Sequence, residues 1–405
     1  MRIALIITLT VLATLLSPVA QADTYPPENA AVLYYKIHFY YPPDSDVMDK
    51  IKEYAKGDAE LDEDIVKHLD KYQYAIKELT VASKIKHCNW GIDFSEGYKA
   101  LIVGLYEFKR CSWLLVADAR RLASKGDYYE AIDRCITAEK FASHVSGDTL
   151  INSLVGTAIS AMSDKCIMHI SSQIHGDEDA LKHLRSKLVD FESRIGRVKE
   201  GFWVEKQLVE VMFDLKSPHR LTYDMLTGSM FHESSGFKEI DPKAKKPVEK
   251  KLIEEVKAQN ALFYEKALIY YIGIIYDALA AFDKPYAEAS EILSKQIPEK
   301  LANDAKKKPE AIMANKLIPS CLKVYGLAVR SQNSLNALKT ALEIFIVKAK
   351  TGKLPKKLPA NALKDLYTGK AMVYEITDEG FTLRCQGPDT KRDKKKNTYI
   401  FKVKK

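Results

Sequence analysis

The stretch Tyr98 to Ser146, YKALIVGLYEFKRCSWLLVADARRLASKGDYYEAIDRCITAEKFASHVS, decides the fold class. Tyr98, Leu101, Leu105, Phe108, Ser112, Leu115, Ala119 and Leu122 recur at alternating spacings of three and four, which keeps one face of a long helix apolar. Ser95 stands as a candidate N-cap before it, and Gly126-Asp127 ends it. Tyr128, Ala131, Cys135, Ala138, Ala142 and Val145 then repeat the alternation. Two such stripes joined by a tight turn make an antiparallel helical hairpin, so the chain reads as mainly α, a multi-helix antiparallel bundle.

Around the turn, Lys125-Gly126-Asp127-Tyr128-Tyr129-Glu130-Ala131-Ile132, with Ala138 following, resembles the second half of a tetratricopeptide repeat. Asp118 and Ala119 replace the usual Leu-Gly pair, Ser143 stands where proline is common, and no second copy follows at about 34 residues. The expectation is one repeat-like hairpin within a helical domain and no solenoid.

Upstream, Asn29 to Tyr35 opens a helix that ends near Pro42-Pro43. Charged helical sequence follows from Asp46 to about Lys84, and Cys88-Asn89-Trp90-Gly91-Ile92-Asp93 forms a break. Downstream, helices are predicted from about Asp148 to Ser172 and from Gly176-Asp177 to about Phe191, with helical sequence on to Leu215. Prolines, glycines and serines make 216–246 an irregular loop. A long apolar helix runs to about Phe282, a lysine-rich break covers 299–308, and a further helix runs to Ala349, bent near Pro319. Three short strands are predicted at Met372–Ile376, Phe381–Arg384 and Thr398–Val403, with Asp378-Glu379-Gly380 as the first turn.

The predicted organisation is therefore a signal peptide at 1–22, a helical domain at 23–215, the loop at 216–246, a helical segment at 247–319 and a long-helix and three-stranded antiparallel β module at 320–405. The signal peptide rests on Arg2, the apolar run Ile3 to Leu16 and Ala20-Gln21-Ala22. It implies export to the periplasm or beyond, and no later segment is long and apolar enough to span a membrane. With 405 residues, 46% hydrophobic and 29% charged, the chain is globular, neither disordered nor a multi-span membrane protein. Its net charge of +8 is the sum of the signal peptide's Arg2 and of 391–405, where eight basic residues face one acid, and 23–390 is electroneutral in sum. That basic end suits an anionic surface, while export argues against nucleic acid.

Six cysteines, at 88, 111, 135, 166, 321 and 385, allow 15 pairings and dictate none. Cys111 lies fifteen residues before Gly126 and Cys135 nine after, an offset of six. At ~1.5 Å rise per residue this is roughly 9 Å along the hairpin, too far for a bridge between them.

The C-terminal motifs carry a second resemblance. Leu338, Ala341, Leu342 and Phe345, then Gly352-Lys353-Leu354-Pro355 with Leu358, Tyr367-Thr368-Gly369-Lys370 before Tyr374, Gly380-Phe381 and Gly387-Pro388-Asp389 resemble the globular end of type II secretion major pseudopilins over roughly 320–405. The whole chain is similar to a group of uncharacterised exported bacterial proteins. The family's N-terminal assembly helix is replaced here by a cleavable signal and unrelated sequence. Its calcium ligands have no counterpart among the basic residues that follow Asp389, so no calcium is expected.

No catalytic, metal or cofactor constellation is legible. His175-Gly176-Asp177-Glu178-Asp179 reads as a helix cap with an acidic first turn rather than a metal cluster. No zinc helix, nucleophile elbow or phosphate loop is present. The expectation is a non-enzymatic exported protein that binds an envelope protein or peptide or has a structural role. Trp90, Asp93, Tyr128, Tyr129, Lys394, Lys395 and Lys396 are its candidate interaction residues, and no cofactor is expected. The alternative is an envelope glycan-binding protein or hydrolase with two carboxylates that sequence leaves unpaired.

Overall fold

The computed structural model describes residues 25–41, 45–100, 104–189, 191, 193–227, 240–243, 246–387 and 397–403. The predicted signal peptide and Lys394, Lys395 and Lys396 lie outside the described residues. The chain is mainly helical, with one small antiparallel sheet near the C-terminus.

Helix α1 (Ala30–Tyr40) is capped by the Asn29 side chain, which accepts from the Ala31 N–H at 3.1 Å. The charged stretch after it divides into α2 (Ser45–Lys56), α3 (Glu63–Lys71) and α4 (Gln73–Ala82). The first division falls at Gly57, whose φ of 82° no side-chain-bearing residue adopts easily.

The hairpin is present as α5 (Leu105–Lys125) and α6 (Tyr128–Ser146), with Gly126 at φ 87° between them. Its first helix starts later than periodicity suggests. Asp93, not Ser95, caps a short 3₁₀ turn at Phe94–Lys99, and left-handed Gly97 (φ 58°) and Gly104 (φ 72°) interrupt the helical path, so α5 begins only at Leu105.

The next helices are α7 (Leu150–Gln173), α8 (Glu178–Leu188) and α9 (Arg194–Phe213). As expected, the Asp177 side chain caps α8, accepting from the N–H groups of Asp179 and Ala180. Among the described residues the 216–246 stretch contains the short α10 (Tyr223–Thr227), and α11 (Pro247–Lys257) and α12 (Ala261–Ala281) follow. The lysine-rich break is largely helical instead: α13 (Tyr286–Glu291) passes through a π turn at Ile292–Gln296 into α14 (Ile297–Asp304). Pro298 sits in its first turn, where a missing N–H costs nothing. Helix α15 (Glu310–Thr351) then runs continuously through Pro319, so position 320 falls within a helix. Gly352, at φ 75°, closes it.

The sheet has order β1-β2-β3, from Val373–Thr377, Gly380–Arg384 and Thr398–Lys402. Val373 pairs with Arg384, and Arg384 with Thr398. Phe345 of α15 meets Phe381 at 5.2 Å between ring centroids, and Phe381 stacks on Phe401 at 5.1 Å. These rings bind the sheet to the helical body. The connection is tied by the fully buried Asp365, which accepts from the N–H groups of Tyr367 (2.9 Å) and Gln386 (2.7 Å) and from the Thr368 hydroxyl (3.0 Å). Buried apolar side chains from Ala30 to Phe401 form one continuous core. Among the described residues no helix is long and apolar enough to cross a membrane.

Candidate functional site

Helix α7 is both the centre of the helical body and one wall of a cleft. Towards α6 it carries Gly156, where a Cβ would lie 1.9 Å from Ser146 Oγ and 2.6 Å from the Ala142 carbonyl, so glycine permits the close approach. Ser163 Oγ extends that contact by donating to the Cys135 carbonyl at 3.0 Å. Leu154, Ala158, Ala161, Lys165 and Met168 of α7 share one face at spacings of three and four, and this face lines the cleft. Two of the five are alanines, whose small side chains leave the space unfilled. Leu327 and Arg330 of α15 form the opposite wall, and Tyr399 and Ile400 of β3 close one side.

The cleft has a volume of about 660 Å³, within the range of binding cavities. Leu327 and Ile400 are 41% and 63% exposed, so apolar surface faces solvent at its mouth. Strand β3 pairs only with β2, leaving its other side without a strand among the described residues. Tyr399 lines the cleft with its hydroxyl buried and without a hydrogen-bond partner, and burial raises its pKa above the usual phenol value.

Beneath the cleft lies a buried ionic cluster. Arg194 forks Asp164, with Nη2 donating to Oδ1 at 2.9 Å and Nη1 to Oδ2 at 2.7 Å. Its Nε donates to Glu139 Oε1 at 3.2 Å, and Nη1 also reaches the Ser331 carbonyl at 2.9 Å. Arg194, Asp164 and Glu139 are each at most 2% exposed. Burial opposes the guanidinium charge, but Asp164 and Glu139 outweigh it and raise the Arg194 pKa above its ordinary value. The Asp164 carboxylate is therefore committed to Arg194, and the cleft presents apolar surface with Lys165 and Arg330 as its cations.

Of the residues singled out from sequence, the four that are described, Trp90, Asp93, Tyr128 and Tyr129, are not gathered at this cleft. Trp90 is buried: its indole N–H donates to the His144 carbonyl at 2.9 Å, its ring stacks on Tyr34 at 5.3 Å, and its carbonyl accepts from the Tyr35 hydroxyl at 2.6 Å. Asp93 is exposed and accepts from the Ser95 hydroxyl and N–H, bonds that lower its carboxyl pKa. Tyr128 is half-buried against the core, and Tyr129 is exposed beside the His183 ring at 5.1 Å. These tyrosines begin α6, whereas Trp90 meets its far end. The fifteen residues from Tyr129 to His144 place the two groups roughly 22 Å apart along the helix. Among the described residues no group of three or more His, Cys, Asp or Glu side chains is arranged to hold a metal ion. Cys88, Cys111, Cys135, Cys166 and Cys385 are free thiols, and burial pushes Cys88 and Cys111 each up to about 12.

No protein-family model, no curated protein and no solved structure matches the chain.

Proposed function

We propose that this chain is a non-enzymatic, exported binding protein of the cell envelope whose cleft takes an extended apolar segment of a partner protein. The observation that carries the reading is the combination of an apolar cavity with the side of β3 that, among the described residues, pairs with no strand. A peptide laid along that side gains main-chain hydrogen bonds, and every second side chain points into the cavity. Ile400 and Leu327 supply the exposed apolar contact. The committed Asp164 leaves no free carboxylate in the wall to repel a peptide's carbonyl oxygens. The tetratricopeptide-like turn of the hairpin and the pseudopilin-like order of motifs after residue 320 support an assembly role, and the signal-like N-terminus supports export.

The test is selection of displayed random peptides on the full chain and on Leu327→Glu. Leu327 is exposed, so this substitution places a charge in the cleft wall with little effect on the core. An apolar, β-prone consensus recovered on the wild type and lost on the variant is expected. Recovery of no consensus, or of the same one on both proteins, would overturn the proposal.

A further inference from the structure

A second cavity, of about 670 Å³, lies between residues 83–88, the C-terminal half of α6 and the start of α9. Unlike the cleft it is cationic, with Lys84, Lys86, Lys140 and Arg197 in its lining against the single acid Glu139. Glu139 is already taken: Arg194 lies 3.1 Å from Oε2, and Arg197 Nη1 lies 3.4 Å from Oε1. Counting Asp164 on Arg194, the buried cluster holds two arginines and two carboxylates and is electroneutral. The three lysines are additional, and none makes an ion pair among the described residues.

The lysines alone do not define a site, since Lys84 and Lys86 follow the C-terminus of α4, where helix polarity favours cations. Arg197 is the second observation. It is 7% exposed, lines the cavity, and its Nε has no hydrogen-bond partner. Glu139 occupies Nη1, so the guanidinium edge left unused is the Nε side, where an arginine can fork a carboxylate or phosphoryl group. A buried donor without an acceptor is costly, and an anion entering here supplies the acceptor while neutralising the lysines.

We infer that this cavity binds a multiply charged anion bearing phosphoryl or carboxylate groups, with Arg197 at its base and Lys84, Lys86 and Lys140 around its mouth. The site is distinct from the cleft beside β3, and its ligand chemistry is the opposite.

Isothermal titration of the full chain with inorganic pyrophosphate and, separately, with citrate at constant ionic strength tests this. Saturable one-to-one binding of at least one probe is expected, and the stronger probe identifies the ligand class. A Lys84→Gln, Lys86→Gln, Lys140→Gln triple variant changes only exposed side chains and should weaken that binding at least tenfold, as should Arg197→Gln. Peptide selection by the triple variant should be unchanged, which separates this site from the cleft. Absence of saturable binding by both probes, or wild-type affinity in the triple variant, would overturn the inference.

Discussion

Replacing Arg194 by methionine probes the ionic cluster that fixes α6, α7, α9 and α15 to one another. The guanidinium holds Asp164 through two bonds of 2.7 and 2.9 Å and Glu139 through one of 3.2 Å, and all three residues are at most 2% exposed. Glu139 keeps Arg197 at 3.4 Å, so the group stranded by the substitution is Asp164. Removing one partner of a buried pair costs about 3–5 kcal/mol, because the remaining charge is left desolvated. We therefore expect Arg194→Met to lower stability at pH 7 by about 3–5 kcal/mol, measured from urea transitions followed by circular dichroism. Arg194→Lys keeps the charge but not the fork, and should lose about 1.5–3 kcal/mol, the worth of a charged hydrogen bond. A loss below about 1 kcal/mol at pH 7, against the ~3 expected, would refute the claim that this charge is essential to the packing.

Gly156→Ala should destabilise the chain by about 2–3 kcal/mol through the α6 and α7 contact, seen as a lower urea midpoint; an unchanged midpoint would show that the two helices separate freely. Glu205 gives a pH-dependent effect: burial pushes its carboxyl from 4.5 up to about 7, against the opposing backbone bond from Leu150. The folded state thus retains a proton that the unfolded chain releases between those values, so stability falls as pH rises through that window. Glu205→Gln should match wild type near the low end of the window and exceed it by about 1–3 kcal/mol at pH 8, and equal stabilities there would refute this.

The parts of the fold legible in the sequence were those set by local periodicity. The three-and-four alternation of α5 and α6 survives in the structure, as do Gly126 between them and the strand pattern of 373–402. Two elements differed for backbone and composition reasons. Gly97 and Gly104 take left-handed conformations that an apolar stripe does not reveal, and α14 is a helix despite its lysine-rich continuation. The cleft was not legible, because its walls come from α7, α15 and β3, and no spacing within one element encodes their meeting. Ser160, Ser163 and Asp164 of α7 are polar and buried, but α7 carries other polar residues as well, so the sequence does not set them apart. Arg194, placed at a helix start, has the sequence appearance of a solvated charge, and only the tertiary structure shows it at the centre of the cluster. Trp90, conversely, looks like an interaction residue in a turn but is enclosed by Tyr34, Tyr35 and Phe108.

The central claim is that the cleft beside β3 holds an apolar peptide segment. The most direct measurement is calorimetric titration of the peptide selected on the wild-type chain into wild-type and Leu327→Glu proteins. The account predicts saturable one-to-one binding by the wild type and at least a tenfold loss in the variant, a difference of about 1.4 kcal/mol or more. Equal affinity for the two proteins would contradict it.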